Sequence, residues 1–306
     1  MTKTCVGVIG SSSRLGECVI QTLLQHNIPV KAYSRTARQH PDHRVECRQL
    51  ANPSNTNDPI PLWISVTPLW VILDYFDLLK QHQVKKILVL SSTSRWTKKE
   101  SSNPYEQATV QRLESSEQQL QLWSERNGVY WTILRPTLIY GYSQDKNITE
   151  ILTLIRRFGF FPILGSGQGL RQPIHMDHVA SACVKALLTE TTNNQSYNIA
   201  GAETLSYREL VERLFIATGR KIRILSIPLR VFQSLIPLLR FIPRYRHWNT
   251  AMVERMNTDL VFDTSPAQQD FAFEPGHFVL NKADINPNEN ELSHQSVQKR
   301  ATNDIK

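Results

Sequence analysis

The chain has four cysteines in 306 residues, Cys5, Cys18, Cys47 and Cys183, and no two of them form a C-x-x-C pair. That excludes a disulfide framework and a cysteine zinc site, and it makes a reducing compartment, the cytoplasm, the expected setting. No metal is expected. Cys5 to Gly10 is a short apolar segment without the basic leader and longer apolar core of a signal peptide. A run long enough to span a bilayer is missing too. Pro228 to Arg246 is rich in Leu, Ile and Phe, but it is interrupted by Pro237 and Pro243 and carries Arg230, Arg240, Arg244 and Arg246. Internal repeats are absent. The net charge of +8 is spread along the chain rather than gathered in a basic stripe interleaved with aromatics. It therefore points to a phosphate-bearing small ligand and not to nucleic acid.

What is present is a 41% hydrophobic chain in which short β-branched runs alternate with longer amphipathic ones. Strands are expected at Cys5 to Ile9, Val30 to Tyr33, Leu62 to Val66, Ile87 to Leu90 and Val129 to Leu134. Helical stretches are expected up to Gln25, from Leu69 to Gln81, and up to Arg126. Runs as continuously apolar as Ile87-Leu88-Val89-Leu90 fit parallel strands buried on both faces. The predicted fold is α/β, a Rossmann-type doubly wound parallel sheet with a smaller C-terminal substrate lobe. Residues 1–140 form the expected dinucleotide-binding core and 141–280 a lobe interleaved with it. Residues 281–306, mostly Asn, Asp, Glu, Gln, Lys and Ser, form an expected disordered tail. The polar stretch Gln49 to Pro61, with three prolines, predicts an abbreviated crossover. For 228–246 two readings stand: a helix packed on the lobe, or a basic amphipathic surface for a peripheral membrane or protein contact.

Val8-Ile9-Gly10-Ser11-Ser12-Ser13-Arg14-Leu15-Gly16 follows a predicted strand and opens a predicted helix. In that context a tight turn aims backbone N–H groups at a pyrophosphate, at the positive end of the helix dipole. Gly10, Ser12, Ser13, Arg14, Leu15 and Gly16 are the expected cofactor contacts. The second strand ends in Ser34-Arg35, without the Asp or Glu that would accept hydrogen bonds from an adenosine ribose. Arg35, with Arg14 and Arg38, instead fits a 2′-phosphate, so NADP is expected ahead of NAD. The alternative for Arg35 is a solvated loop position.

This loop resembles the Gly-x-x-Gly-x-x-Gly of extended and atypical short-chain dehydrogenases/reductases, the NAD(P)-dependent epimerase/dehydratase family, with Ser13 at the middle glycine. Ser91-Ser92-Thr93-Ser94-Arg95-Trp96 is similar to the family's Ser-Ser-x-x-x-Tyr segment. The resemblance places Ser92 at the catalytic hydroxyl, with Thr93 beside it; by residue type alone, capping the next segment is an equal role for Ser92. The family's Tyr-x-x-x-Lys is broken. Asn103-Pro104-Tyr105 resembles its approach, but Thr109 stands in the lysine's place, and a register set by Glu117 and Leu120 gives Thr109 and Leu113. Arg135-Pro136-Thr137-Leu138-Ile139-Tyr140-Gly141 resembles the family's Arg-Pro-x-x-x-Tyr-Gly, which implies that Pro136 lies near the nicotinamide. Arg171-Gln172-Pro173-Ile174-His175-Met176-Asp177-His178-Val179-Ala180 resembles its Arg-x-x-Ile-His-x-x-Asp-x-Ala. Arg171 would then meet the diphosphate of a nucleotide-sugar, and Tyr140 is the second expected substrate contact. His175 and His178, without spaced partners, read as structural. The resemblance covers about residues 3–226.

Two functions follow from it. One is an NADP-dependent enzyme acting on a nucleotide-sugar as epimerase, dehydratase or keto-reductase, with Ser92 orienting the reacting oxygen and Tyr105 as proton donor. The other is a noncatalytic relative that holds NADP(H) as a structural or sensing ligand and contacts another protein. The missing lysine motivates the second, because a phenol near its ordinary pKa of about 10 is a poor base at neutral pH. A homodimer is left open.

Overall fold

The computed structural model describes residues 4–51, 58–99, 101, 103–145, 147–228 and 256–286. Its strands are β1 (Val6–Ile9), β2 (Val30–Ser34), β3 (Val45–Gln49), β4 (Leu62–Ser65), β5 (Lys86–Leu90), β6 (Tyr130–Pro136), β7 (Ile139–Tyr140), β8 (Phe161–Leu164), β9 (Leu170–Arg171), β10 (Ile174–His175), β11 (Gln195–Ile199), β12 (Leu205–Ser206) and β13 (Ile224–Ile227). Seven of them form one sheet in the order β11-β6-β5-β4-β1-β2-β3. Every pairing in it is parallel. The α-helices among the described residues are α1 (Arg14–Gln25), α2 (Leu69–Ile72), α3 (Phe76–Gln81), α4 (Ser94–Thr97), α5 (Pro104–Asn127), α6 (Ile148–Phe158), α7 (Met176–Leu188), α8 (Tyr207–Ala217), α9 (Ser265–Phe271) and α10 (Lys282–Ile285).

Alternation along each strand sorts side chains to two cores. Val6, Val8, Ile64, Leu88, Leu90 and Leu134 pack on α1 and α7. Ile9, Trp63, Ile87, Val89, Trp131 and Ile133 pack on α2, α3 and α5. Both faces are therefore covered, which is why these strands read as unbroken apolar runs. A third cluster, built from α6, α8 and β8 and including Ile151, Ile155, Phe161, Leu210 and Phe215, forms the lobe. Between its lobe elements the chain returns to the large sheet as β11, beside β6. This is the Rossmann-type doubly wound sheet with a smaller lobe that the sequence predicts.

Two expectations need correction. The strand β3 has no counterpart in the sequence reading, and β2 reaches it through residues 35–44 with no helix between. The shortened connection at this edge thus begins before Gln49; of the stretch from Gln49 to Pro61, residues 52–57 lie outside the described residues. The second correction concerns the tail. Residues 281–286 are ordered: Asn281 caps the short helix Lys282–Ile285 in a capping box with Asp284. Asp284 is buried because it meets His175 Nε2 at 3.0 Å and accepts the Tyr142 N–H at 2.8 Å. Residues 287–306, and 229–246 of the basic stretch, lie outside the described residues.

Two charged clusters hold this architecture together. Glu117 on α5 is buried, and it accepts from Arg135 Nε at 3.0 Å and Nη2 at 2.6 Å, from Ser91 Oγ at 2.6 Å and from Arg95. Burial opposes its charge, but the Arg135 and Ser91 hydrogen bonds and the two guanidinium charges outweigh that and hold its carboxyl below the usual range. In the other cluster His175 lies between two carboxylates, with Nδ1 3.3 Å from Asp177 Oδ2 and Nε2 facing Asp284. Burial works against protonating His175, yet hydrogen bonds to Asp177 and Asp284 and their charges push its value up to about 9. Protonation exchanges the Asp177 amide, 3.2 Å from Nδ1, for the Asp177 carboxylate as the partner of that nitrogen.

Glu117→Gln leaves two guanidinium groups facing a neutral amide, and it is expected to lower unfolding free energy by about 3 kcal/mol in a denaturant titration. A loss within experimental error would show that the cluster is dispensable. The His175 latch predicts a pH dependence. Its folded value of about 9 lies above the unfolded value of about 6.5, so its stabilisation is complete below the unfolded value and is lost as pH rises through the folded one. Melting temperature should fall across that window, and Asp284→Asn should flatten the decline.

Candidate functional site

The β1–α1 loop is built for close approach. Gly10 has φ +88°. A β-carbon on Gly16 would run into the Gly10 carbonyl oxygen and lie 2.9 Å from Ser11 Cα. Ser13, at the family's middle glycine, has φ −79°, so this turn needs no left-handed residue there. Its Oγ accepts from Gly16 N at 3.0 Å and donates to Gly10 O at 2.9 Å, capping α1 from inside the loop. Ser11 Oγ donates to Tyr33 O at 2.8 Å and ties the loop to β2, while Ser12 stands exposed at the tip. The first turn of α1 thus presents its amide groups as any helix start does, with small residues in front of it. After β1 the chain enters α1 on one face of the sheet, and after β4 it enters α2 on the other, which opens a crevice between the two strand ends. These residues fit a dinucleotide pyrophosphate.

Arg14 stacks its guanidinium 3.8 Å above the Tyr142 ring. It shares a groove of about 710 Å³ with Arg38, His40, Ala32 and Cys47. That groove runs beside α1 on the edge where no helix joins β2 to β3. Arg35 is exposed and does not line it; its carbonyl accepts from Gln49 Nε2 at 3.1 Å. The three arginines of the sequence reading are therefore not gathered into one grip.

A second cavity, also about 710 Å³, lies between the sheet and the lobe. One end has Leu15 of α1 and the hydroxyl and amine groups of Ser92, Ser94, Thr97, Lys98 and Thr137. The lobe end is mainly apolar, with Ile151, Leu154, Phe161, Leu164, Leu210 and Leu260, and it also holds Arg171 and Tyr207. Ser92 Oγ accepts from Ser94 N at 3.1 Å, so the capping role is realised, and the hydroxyl keeps its own proton to donate into the cavity. Burial pushes the Tyr207 phenol well above its usual value, which keeps it a donor. Arg171 is buried, with Nη1 on the carbonyls of Leu170 and Thr258 at 2.6 and 2.8 Å and its guanidinium 5.7 Å from the Tyr207 ring centre.

Other expected site residues fall elsewhere. Tyr105 is 86% exposed in the first turn of α5 and does not line the cavity, so the structure does not bring it to Ser92. Thr109 is half-buried and donates to Tyr105 O at 2.8 Å, while Leu113 is buried in the core. Thr93, by contrast, does line the cavity beside Ser92, but it is largely buried and its Oγ1 donates to Pro136 O at 3.2 Å, pinning the end of β5 to the end of β6. Tyr140 is buried in the lobe core and donates to Val279 O at 3.1 Å; it is an anchor and not a cavity wall. Sequence reasoning missed Thr137, Lys98 and Tyr207. Thr137 follows the Arg-Pro pair directly, and Tyr207 follows the Ser206 cap, so position relative to those motifs was the available signal.

Residues 71–200 match the model of the NAD dependent epimerase/dehydratase family. Over 154 residues the chain is 29% identical to the uncharacterized protein y4nG of Sinorhizobium fredii, covering 49% of this chain and 37% of that protein. The chain thus spans well under half the length of that relative. The solved UDP-N-acetylglucosamine 4-epimerase of Methanobrevibacter ruminantium, in complex with UDP-N-acetylmuramic acid, superposes with a TM-score of 0.71 at 14% identity, over 96% of this chain and 100% of that one. The UDP-glucuronic acid 4-epimerase of Bacillus cereus, in complex with NAD, gives 0.67 at 15% identity, over 96% and 99%. Over residues 71–200 the chain is thus similar to the NAD dependent epimerase/dehydratase family, and the fold built around them is the one seen in these UDP-sugar 4-epimerase structures.

Proposed function

We propose that the chain binds a nicotinamide dinucleotide along the β1–α1 loop and acts on a hydroxyl or carbonyl carbon of a nucleotide-sugar held in the cavity between sheet and lobe. The observation that carries this reading is the cavity's reach. It touches the first turn of α1 through Leu15, the ends of β5 and β6 through Ser92 and Thr137, and the lobe through Arg171 and Tyr207. A ligand filling it meets a dinucleotide lying on the strand ends. When bound, the dinucleotide supplies the hydride chemistry. The chain's part is to hold and orient: Ser92 directs its hydroxyl at the reacting oxygen, Thr137, whose own proton goes to Gln172 O, offers an acceptor beside it, and Lys98 brings an ionisable group to the same wall. Arg171 and Tyr207 offer donors toward phosphate oxygens, while the apolar lobe wall suits a nucleobase. The absence of a carboxylate at the end of β2, with Arg14 and Arg38 in one groove, supports NADP over NAD.

A second reading, noncatalytic dinucleotide binding, is favoured by one observation: α5 places Tyr105 in solvent and carries the half-buried Thr109, and no lysine, four residues on.

Calorimetric titration with NADPH and NADH, with and without uridine or deoxythymidine diphosphate sugars, separates the readings. NADPH binding strengthened by a nucleotide-sugar supports the enzyme, and binding indifferent to every sugar supports the second reading. Gly16→Val should abolish dinucleotide binding, since its side chain has no room against Gly10. In the enzyme, Ser92→Ala should lower kcat about 100-fold, whereas Tyr105→Phe should leave kcat unchanged. Loss of turnover in Tyr105→Phe would contradict the exposed position assigned to that ring.

A further inference from the structure

The tip of the lobe carries an unusual combination of charge and exposed apolar surface. Its two segments, 153–163 and 216–227, contain five basic residues, Arg156, Arg157, Arg220, Lys221 and Arg223, and no Asp or Glu. They are joined in space. Phe161 N donates to Arg223 O at 3.0 Å, and Arg220 Nη1 donates to Ile155 O at 3.3 Å. Parallel pairing of β8 with β13 sets Ile224 beside Phe161 and Leu225 beside Pro162. Side chains alternate across such a pair, so Phe161 and Ile224 turn to one face and Pro162 and Leu225 to the other. By the same alternation Phe160 and Arg223, one step earlier, share the face of Leu225.

Phe158, Phe160, Ile216, Ile222 and Leu225 are all exposed, with Ile216 at 66%. Phe158 and Phe160 lie side by side, ring centres 6.2 Å apart, and Arg157 sits 5.3 Å from the Phe158 ring. Arg157, Arg220, Lys221 and Arg223 are exposed as well. Arg156 is turned inward to Ile285 O. The segments' neighbours in sequence that carry a negative charge, Glu150 and Glu212, lie earlier on α6 and α8.

We infer that this lobe tip, where Phe158, Phe160, Ile216 and Leu225 are exposed on the same two joined segments as Arg157, Arg220, Lys221 and Arg223, docks on an anionic lipid surface. A contiguous apolar patch on a protein surface marks a contact site. Basic residues around aromatic and aliphatic ones match a bilayer interface, where rings enter the headgroup boundary and cations meet lipid phosphate. The patch uses no residue of the cavity or of the dinucleotide loop, and none of the 229–246 stretch. Among the described residues no helix is long and apolar enough to cross a membrane.

Co-sedimentation of the full chain with vesicles tests this. Binding is expected to vesicles of phosphatidylglycerol mixed with phosphatidylcholine, and it should be lost in phosphatidylcholine alone and at high salt. Each basic residue near such a surface is worth about fivefold in partitioning, so Arg220→Gln/Lys221→Gln/Arg223→Gln should weaken binding about 100-fold. Phe158→Ser/Phe160→Ser should weaken it with charge unchanged, and Arg220→Lys/Arg223→Lys should retain it. All three variants should bind dinucleotide as the parent does, which verifies their fold. Parent-like vesicle binding by the glutamine or serine variants, no binding by the parent chain, or binding to duplex DNA in preference to anionic vesicles would overturn the proposal.

Discussion

The carboxylate of Glu117 is the charge around which the site is assembled. Taking an ion out of water costs several kcal/mol, and the cost is offset only when partners of opposite charge and good geometry are fixed beside it. Here those partners come from three places that must meet: Ser91 at the end of β5, Arg95 in α4 and Arg135 in β6. Satisfying Glu117 therefore draws the strand ends and the turn that follows β5 into one arrangement. Ser92, Thr97 and Lys98 ride on that turn, and Thr137 follows Arg135 by two residues. Thr93, bonded to Pro136 O, closes the same junction from the other side.

The neighbouring loop is shaped by crowding and not by charge. Gly16 has no space for a side chain, and Ser13 folds its hydroxyl into the gap between Gly10 and Gly16. A serine there costs no backbone strain because its φ is negative, and it adds an N-cap worth about 1 kcal/mol. The lobe is fastened to this region through the His175 cluster, in which Tyr142 donates to Asp177 at 2.9 Å and stacks under Arg14. A residue of the dinucleotide loop and the helix at 282–285 are thus parts of one connected set of contacts.

Strands β1, β2, β4, β5 and β6 were legible because burial on both faces writes itself as an apolar run. The edge strand β3 was not: Val45 is buried but Glu46 is exposed, and Arg48 is buried through its bonds to Glu46 and Tyr33, a pattern that imitates a polar loop. Tyr105 was misplaced for a similar reason. Asn103-Pro104 announced a capped helix start, yet a sequence does not say which way the first turn faces, and this one faces solvent. Arg171 was found and does line the cavity, but its bonds to Leu170 O and Thr258 O depend on a segment almost ninety residues later. The ordered stretch around Asp284 was hidden by polar composition, since what holds it is a histidine more than a hundred residues away.

The central claim is that dinucleotide and ligand share the crevice over β1, β4, β5 and β6. A crystal structure of the protein grown with NADPH and a uridine diphosphate sugar tests it most directly. The account predicts pyrophosphate density against the first turn of α1 beside Gly10 and Gly16, with the nicotinamide directed toward Ser92 and Thr137 and the sugar in the cavity lined by Arg171 and Tyr207. Dinucleotide density away from the β1–α1 loop, or a sugar bound where it cannot meet the nicotinamide, would contradict it.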